Sequence, residues 1–116
     1  MTNDTIKDSL ISLAIESWRF TRVYLRLLSK LDADDQKRFT SQYLYFKKQL
    51  EDKLKDMGLK IVNIEGLPFD PGMAATAINV GDFQSEDKLV VDQMLEPIIM
   101  DDNGVIKMGT AILRRV

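Results

Sequence analysis

The sequence predicts an α+β fold in which an N-terminal helical hairpin is followed by a small β unit. Apolar residues recur at alternating spacings of four and three through the first half, the pattern stops at Gly58, and short β-type runs separated by Gly, Pro and Asn-Gly fill the rest. Helices followed by strands, rather than an alternation of the two, points to α+β and away from a parallel βαβ sheet. The expected limits are residues 1–57 for the hairpin and 58–116 for the β unit.

Asn3 or Asp4 can cap the first helix, and Ile6, Leu10, Leu13, Ser17, Phe20, Tyr24, Leu27 and Leu31 then form a heptad-like seam with one polar interruption. A second line, Ile11, Ala14, Trp18, Leu25 and Leu28, runs beside it. The combined stripe is wider than a two-stranded coiled coil needs, so a bundle is expected to cover it. Asp32-Ala33-Asp34-Asp35 supplies a turn and carboxylates for a second helix start, where exposed amides and the dipole favour negative charge. The second helix carries an apolar face, Phe39, Tyr43, Phe46, Leu50, Leu54 and Met57. Opposite it lies a mixed-charge face with the i, i+4 pairs Lys47–Glu51, Lys48–Asp52 and Glu51–Lys55. Gly58 is placed to end the helix.

Strands are expected over residues 59–64, 77–80, 89–95, 98–100, 105–108 and 110–113, with Asn103-Gly104 turning a hairpin. Gly66-Leu67-Pro68-Phe69-Asp70-Pro71-Gly72 reads as a loop, because proline cannot donate to a ladder. Two helices cannot bury two wide stripes between them, and a second copy of the chain is the favoured cover. A homodimer is therefore expected, with Leu10, Leu13, Phe20, Tyr24 and Leu27 in its interface. Trp18 can anchor an interface or fill the bundle core.

Composition narrows the chemistry. The 116 residues contain no cysteine and no histidine, which removes disulfides, thiolate metal sites, a cysteine nucleophile and the commonest general base. A formal charge of −2 gives no general pull toward nucleic acid or anionic membranes. No apolar run approaches the roughly 18 residues of a membrane span. The first residues lack the basic and apolar regions of a signal peptide, so a cytoplasmic protein without a cofactor is expected. Asp101, Asp102 and Asn103 lack the alternating ligands and distal Glu of a calcium loop. Asp34 and Asp35 read as capping acids rather than an acid/base pair, and no enzyme is expected.

Met57-Gly58-Leu59-Lys60-Ile61-Val62, Leu67-Pro68-Phe69-Asp70-Pro71, Val90-Val91-Asp92-Gln93-Met94-Leu95 with Ile98-Ile99-Met100, and Asn103-Gly104 follow one another after the hairpin. In order and spacing this series resembles the C-terminal half of the GrpE family of nucleotide exchange factors. The resemblance implies a GrpE-like fold: a hairpin that forms a four-helix bundle with its dimer mate, followed by a β-wing. It further implies binding to the nucleotide-binding domain of a DnaK-type chaperone, with exchange promoted by preference for the open cleft. Pro71 and Met94 stand at matching family positions, Lys107 is a substitute base, and Phe69 and Met100 are apolar residues expected near the wing surface.

The chain departs from the family in three places. Ala74-Ala75-Thr76 replaces a His-Glu/Gln-Ala sequence, and Glu96-Pro97-Ile98 replaces Lys-Gly-Tyr. Val105 replaces an Arg that helps engage the chaperone, and Lys is not an equivalent fork for a carboxylate. The family's long stalk helix has no counterpart before the hairpin. A dimeric adaptor or scaffold that keeps the fold without exchange activity is the alternative expectation.

Overall fold

The computed structural model describes residues 2–116, and the chain divides into two compact units, Met1–Gly58 and Leu59–Val116. The first is a helical hairpin. Helix α1 (Asn3–Leu28) is capped by Thr2, whose hydroxyl accepts the Thr5 N–H at 3.1 Å. The cap therefore precedes the expected Asn3 or Asp4, and Asp4 instead meets the positive end of the dipole from inside the first turn. Helix α2 (Ala33–Asp56) is capped by Asp32, which accepts the Asp35 N–H at 2.9 Å, with Asp34 and Asp35 in its first turn. The Tyr24 hydroxyl donates to the Phe39 carbonyl and the Gln36 amide to the Leu28 carbonyl, both at 3.0 Å, tying the two helices near their turn. Gly58 follows the last turn at φ +72°, the left-handed conformation that ends a helix at least cost for a residue without Cβ.

The two apolar lines of α1 have different fates. Ile11, Ala14, Trp18 and Leu28 are buried together with Ile15 and Thr21. The heptad seam is not: Leu13 is 63% exposed, Phe20 67% and Leu27 58%. Trp18 is thus a core residue, with the Arg22 guanidinium 5.3 Å from its ring centroid. The buried Thr21 hydroxyl donates back to the Trp18 carbonyl at 2.6 Å, so no polar atom is left without a partner there.

The second unit contains two three-stranded sheets. Strands β1 (Lys60–Val62), β4 (Ile98–Asp101) and β5 (Gly104–Lys107) form one in the order β1-β4-β5, all antiparallel. Strands β2 (Ala75–Ala77), β6 (Gly109–Arg115) and β3 (Leu89–Glu96) form the other in the order β2-β6-β3, with β2 parallel to β6. β3 runs into β4 through Pro97 and β5 into β6 through Met108, so one long ribbon changes sheet at these two residues. Pro97 is buried at the changeover, where its missing N–H leaves no gap in a ladder.

Three expected details shift. The second strand covers residues 75–77 rather than 77–80, because the chain turns into a 3₁₀ turn at Val80–Asp82. Asn79 prolongs the pairing with its side chain: its amide donates to the Leu113 carbonyl and accepts the Leu113 N–H, each at 2.9 Å. The first strand stops at Val62, where Asn63 accepts the Glu65 N–H and bends the chain. The hairpin loop is Asp102-Asn103, one residue earlier than expected, since Asp101 pairs with Gly104. Only Gly104 takes positive φ (+129°), and the Asp101 carboxylate accepts the Asn103 N–H at 2.8 Å.

Candidate functional site

Exposed apolar side chains that can meet a partner lie on the α1 seam, on α2 (Leu44, Tyr45 and Phe46) and in parts of the β unit. On α1, Ile6, Leu13, Phe20 and Leu27 lie seven residues apart and are all exposed. Seven residues is close to two turns, so they stack in one row along the helix. Leu10 is also exposed, whereas Tyr24 is half-buried with its hydroxyl committed to Phe39. Of the five residues expected in a dimer interface, four therefore face solvent in the single chain and Tyr24 leans toward α2.

The β unit places the five expected partner-binding residues in two separate groups. Phe69 is half-buried, and its N–H donates to the Leu89 carbonyl at 2.9 Å. Gly66, Leu67 and Phe69 make backbone bonds along β3, so the expected loop seals that strand's outer edge while Pro68 sits between the bonded positions. Pro71 is exposed just beyond, after the Asp70 carboxylate has accepted the Gly72 N–H at 2.9 Å. Met100 and Lys107 lie near the other end of the ribbon, beside the Asp101–Gly104 closure. No single patch holds all five. Met94 is 1% exposed and packs in the core, which excludes it as a direct contact: on β3 its side chain falls on the inward face, next to Ala111 across the ladder.

Val105, Ile106 and Met108, in and just after β5, are exposed apolar residues. Met100 pairs with Val105 on one side and Lys60 on the other, which sets Lys60, Met100 and Val105 in a row across the first sheet. Ile99 pairs with Lys107, so Ile106 is the extra residue of a bulge. Alternating strand chemistry signals burial of one face, but it does not reveal that β5 is a sheet edge whose side chains find little cover.

Charged groups in the β unit are mostly engaged. Arg114 pairs with Asp92 and Arg115 with Asp87, both at 3.1 Å, and Arg115 also lies 5.7 Å from the Phe83 ring centroid. The Gln84 N–H and then the Arg115 guanidinium hold the Asp87 carboxyl below its ordinary value. On α2 the Lys48–Asp52 hydrogen bond lowers the Asp52 carboxyl and raises the Lys48 amine. Glu51 pairs with Lys47 at 3.8 Å and, among the described residues, not with Lys55. Each of these shifts arises at a surface pair or turn, and Asp101 and Asp32 are occupied in closing a hairpin and capping a helix. Among the described residues no three His, Cys, Asp or Glu side chains gather as a metal site, and no helix is long and apolar enough to cross a membrane.

Comparison with family models, with curated proteins and with solved structures finds no match to this chain.

Proposed function

We propose that this chain is a dimeric, non-catalytic protein-binding module of GrpE type. In this reading two helical hairpins join as a four-helix bundle, and the β unit engages the nucleotide-binding domain of a DnaK-type chaperone in the cytoplasm and promotes nucleotide release. The observation that carries the dimer is the exposed row Ile6, Leu13, Phe20 and Leu27, because four large apolar side chains in one line on a soluble helix need a cover. The chaperone enters through the sequence resemblance alone. Binding suffices for exchange: a ligand that prefers the open cleft shifts the equilibrium by its differential affinity for the two states.

A second reading, a dimeric adaptor without exchange activity, is favoured by the chemistry of β5. Val105 stands where the family has an Arg, and Met100 and Val105 form an apolar row rather than a carboxylate-binding fork. Stopped-flow release of a fluorescent nucleotide from the DnaK-type chaperone of the same organism decides between them. Acceleration that is lost in Lys107→Ala or Val105→Asp supports the exchange factor. Chaperone binding without acceleration supports the adaptor, and no binding refutes the chaperone as partner.

A further inference from the structure

We propose that Asn103 is a site of spontaneous covalent modification, where the chain converts its own side-chain amide into aspartate and isoaspartate with water as co-reactant. This holds whichever partner the chain binds. The reaction needs a side-chain amide carbon that the next residue's backbone nitrogen can reach, and one of the four asparagines meets that need. Asn103 is exposed at the tip of the β4–β5 hairpin, where its N–H donates to the Asp101 carboxylate at 2.8 Å. Among the described residues its side-chain amide makes no hydrogen bond, so it is free to turn toward the backbone. The next nitrogen belongs to Gly104. No Cβ shields it, and nothing lies within 4 Å of where a Cβ would stand, so the approach is open. β5 is the last strand of its sheet, with β4 as its neighbour, and the tip can open locally while the rest of the sheet stays paired.

The other asparagines lack one condition or more. Asn63 donates its amide to the Glu65 carboxylate and accepts the Glu65 N–H, and Asn79 is held by Leu113 through both ends of its amide. Each precedes a β-branched residue, Ile64 or Val80, whose side chain crowds the nitrogen. Asn3 lies within α1, where helical geometry fixes the nitrogen of Asp4. At Asn103 the Gly104 nitrogen gives its proton to hydroxide and attacks Cγ. The N–Cγ bond forms, the Cγ–Nδ2 bond breaks, and the amide nitrogen leaves as ammonia with a proton from water. Water then opens the cyclic imide. Cleavage of the N–Cγ bond yields aspartate, whereas cleavage at the Asn103 main-chain carbonyl yields isoaspartate, with the chain rerouted through Cβ and Cγ. Nothing is oxidised or reduced. Either product adds one negative charge to the formal −2 of the chain, beside Asp101 and Asp102. Isoaspartate also inserts a backbone carbon into the Asp102-Asn103 loop, which displaces the Asp101–Gly104 closure.

Incubation of the full chain in mildly alkaline buffer made with heavy-oxygen water, followed by peptide mass spectrometry, tests the site. The expected result is conversion of Asn103 ahead of Asn3, Asn63 and Asn79, faster as pH rises, with heavy oxygen in the new carboxyl group. Isoaspartate is expected among the products, read with an isoaspartyl methyltransferase as reagent. Asn103→Gln, whose longer side chain closes the imide slowly, removes that signal. Conversion of another asparagine first overturns the proposal. So does an Asn103 that stays intact over the time in which the chain in denaturant converts there, because the folded turn then protects it. Aspartate without isoaspartate overturns the imide route. Hydrogen exchange across β5 reads the structural consequence: protection is expected to fall in the isoaspartate form and to persist in Asn103→Asp, which carries the charge without the extra backbone carbon. Equal protection in those two forms overturns the displacement of the closure.

Discussion

Phe20→Asp tests the seam where its exposure is largest. In the single chain the ring is 67% open, so its replacement leaves the hairpin core untouched and costs the isolated fold no more than about 0.5 kcal/mol. In a dimer the effect is much larger. A Phe side chain offers on the order of 200 Å², of which roughly two thirds remains for a partner to cover; at about 25 cal/mol per Å² that is ~3 kcal/mol from each protomer. Two equivalent sites give ~6 kcal/mol, and part of this is offset by ordering on association, so the expected loss in dimer affinity is at least about a thousandfold. Sedimentation equilibrium over a concentration series reads the affinity, and melting at each concentration reads its linkage to stability. Ile15→Ala is the contrasting variant: Ile15 is 3% exposed, and its truncation is expected to cost about 2–5 kcal/mol at every protein concentration. A Phe20→Asp protein that dimerises like the parent refutes the assignment of this face, as does a parent protein that is monomeric with a concentration-independent melting temperature.

The β unit offers three further tests. A Cβ on Gly109 meets the Met94 methyl at 2.6 Å and the Glu96 carbonyl oxygen at 2.8 Å; the methyl can swing away but the ladder carbonyl cannot, so Gly109→Ala is expected to lose about 1–3 kcal/mol in chemical denaturation. An unchanged denaturation midpoint would contradict the close approach of β3 and β6. Asn79→Ala strips both of its bonds to Leu113 and leaves that residue's backbone groups to find water, a loss of about 1–3 kcal/mol, whereas a loss below about 0.5 kcal/mol would mean the side-chain pairing adds nothing. Asp87 has its folded value depressed by the Gln84 N–H and Arg115, so its contribution is fully present above the unfolded carboxyl value of about 3.9 and is lost as pH falls through the folded value. The melting difference between the parent and Asp87→Asn is therefore expected to shrink below about pH 4, and a difference that grows on acidification would reverse the sign of the argument.

How legible these features were depends on the range over which they are determined. The extents of both helices, the stop at Gly58 and the hairpin at residues 101–104 are set by periodicity and turn chemistry within a few neighbouring residues, and the sequence carries them. The first helix cap and the tip of the hairpin turn shifted by one residue, because several adjacent residues had the required chemistry and backbone geometry chose among them. The parallel pairing of β2 with β6 joins residues more than thirty positions apart and leaves no local signature. Asn79 reads in the sequence as a strand residue, and its service as a side-chain strand mimic depends on Leu113. The candidate partner-binding residues do not form one patch for the same reason: sheet order separates Phe69 and Pro71 from Met100 and Lys107, and the inward face of β3 takes Met94.

The two faces of α1 show where pattern reading stops and geometry begins. Periodicity establishes that apolar residues occupy more of the circumference than one neighbour can cover, but a helical wheel has no marker for the sector its own chain takes. Here the line through Ile11, Ala14, Ile15 and Trp18 is buried and the regular heptad row is left open. The buried line is spaced as regularly as the open one, Ile11 and Trp18, Ala14 and Thr21, and Thr21 and Leu28 each being seven residues apart, so periodicity does not mark which line is left to meet something outside the chain.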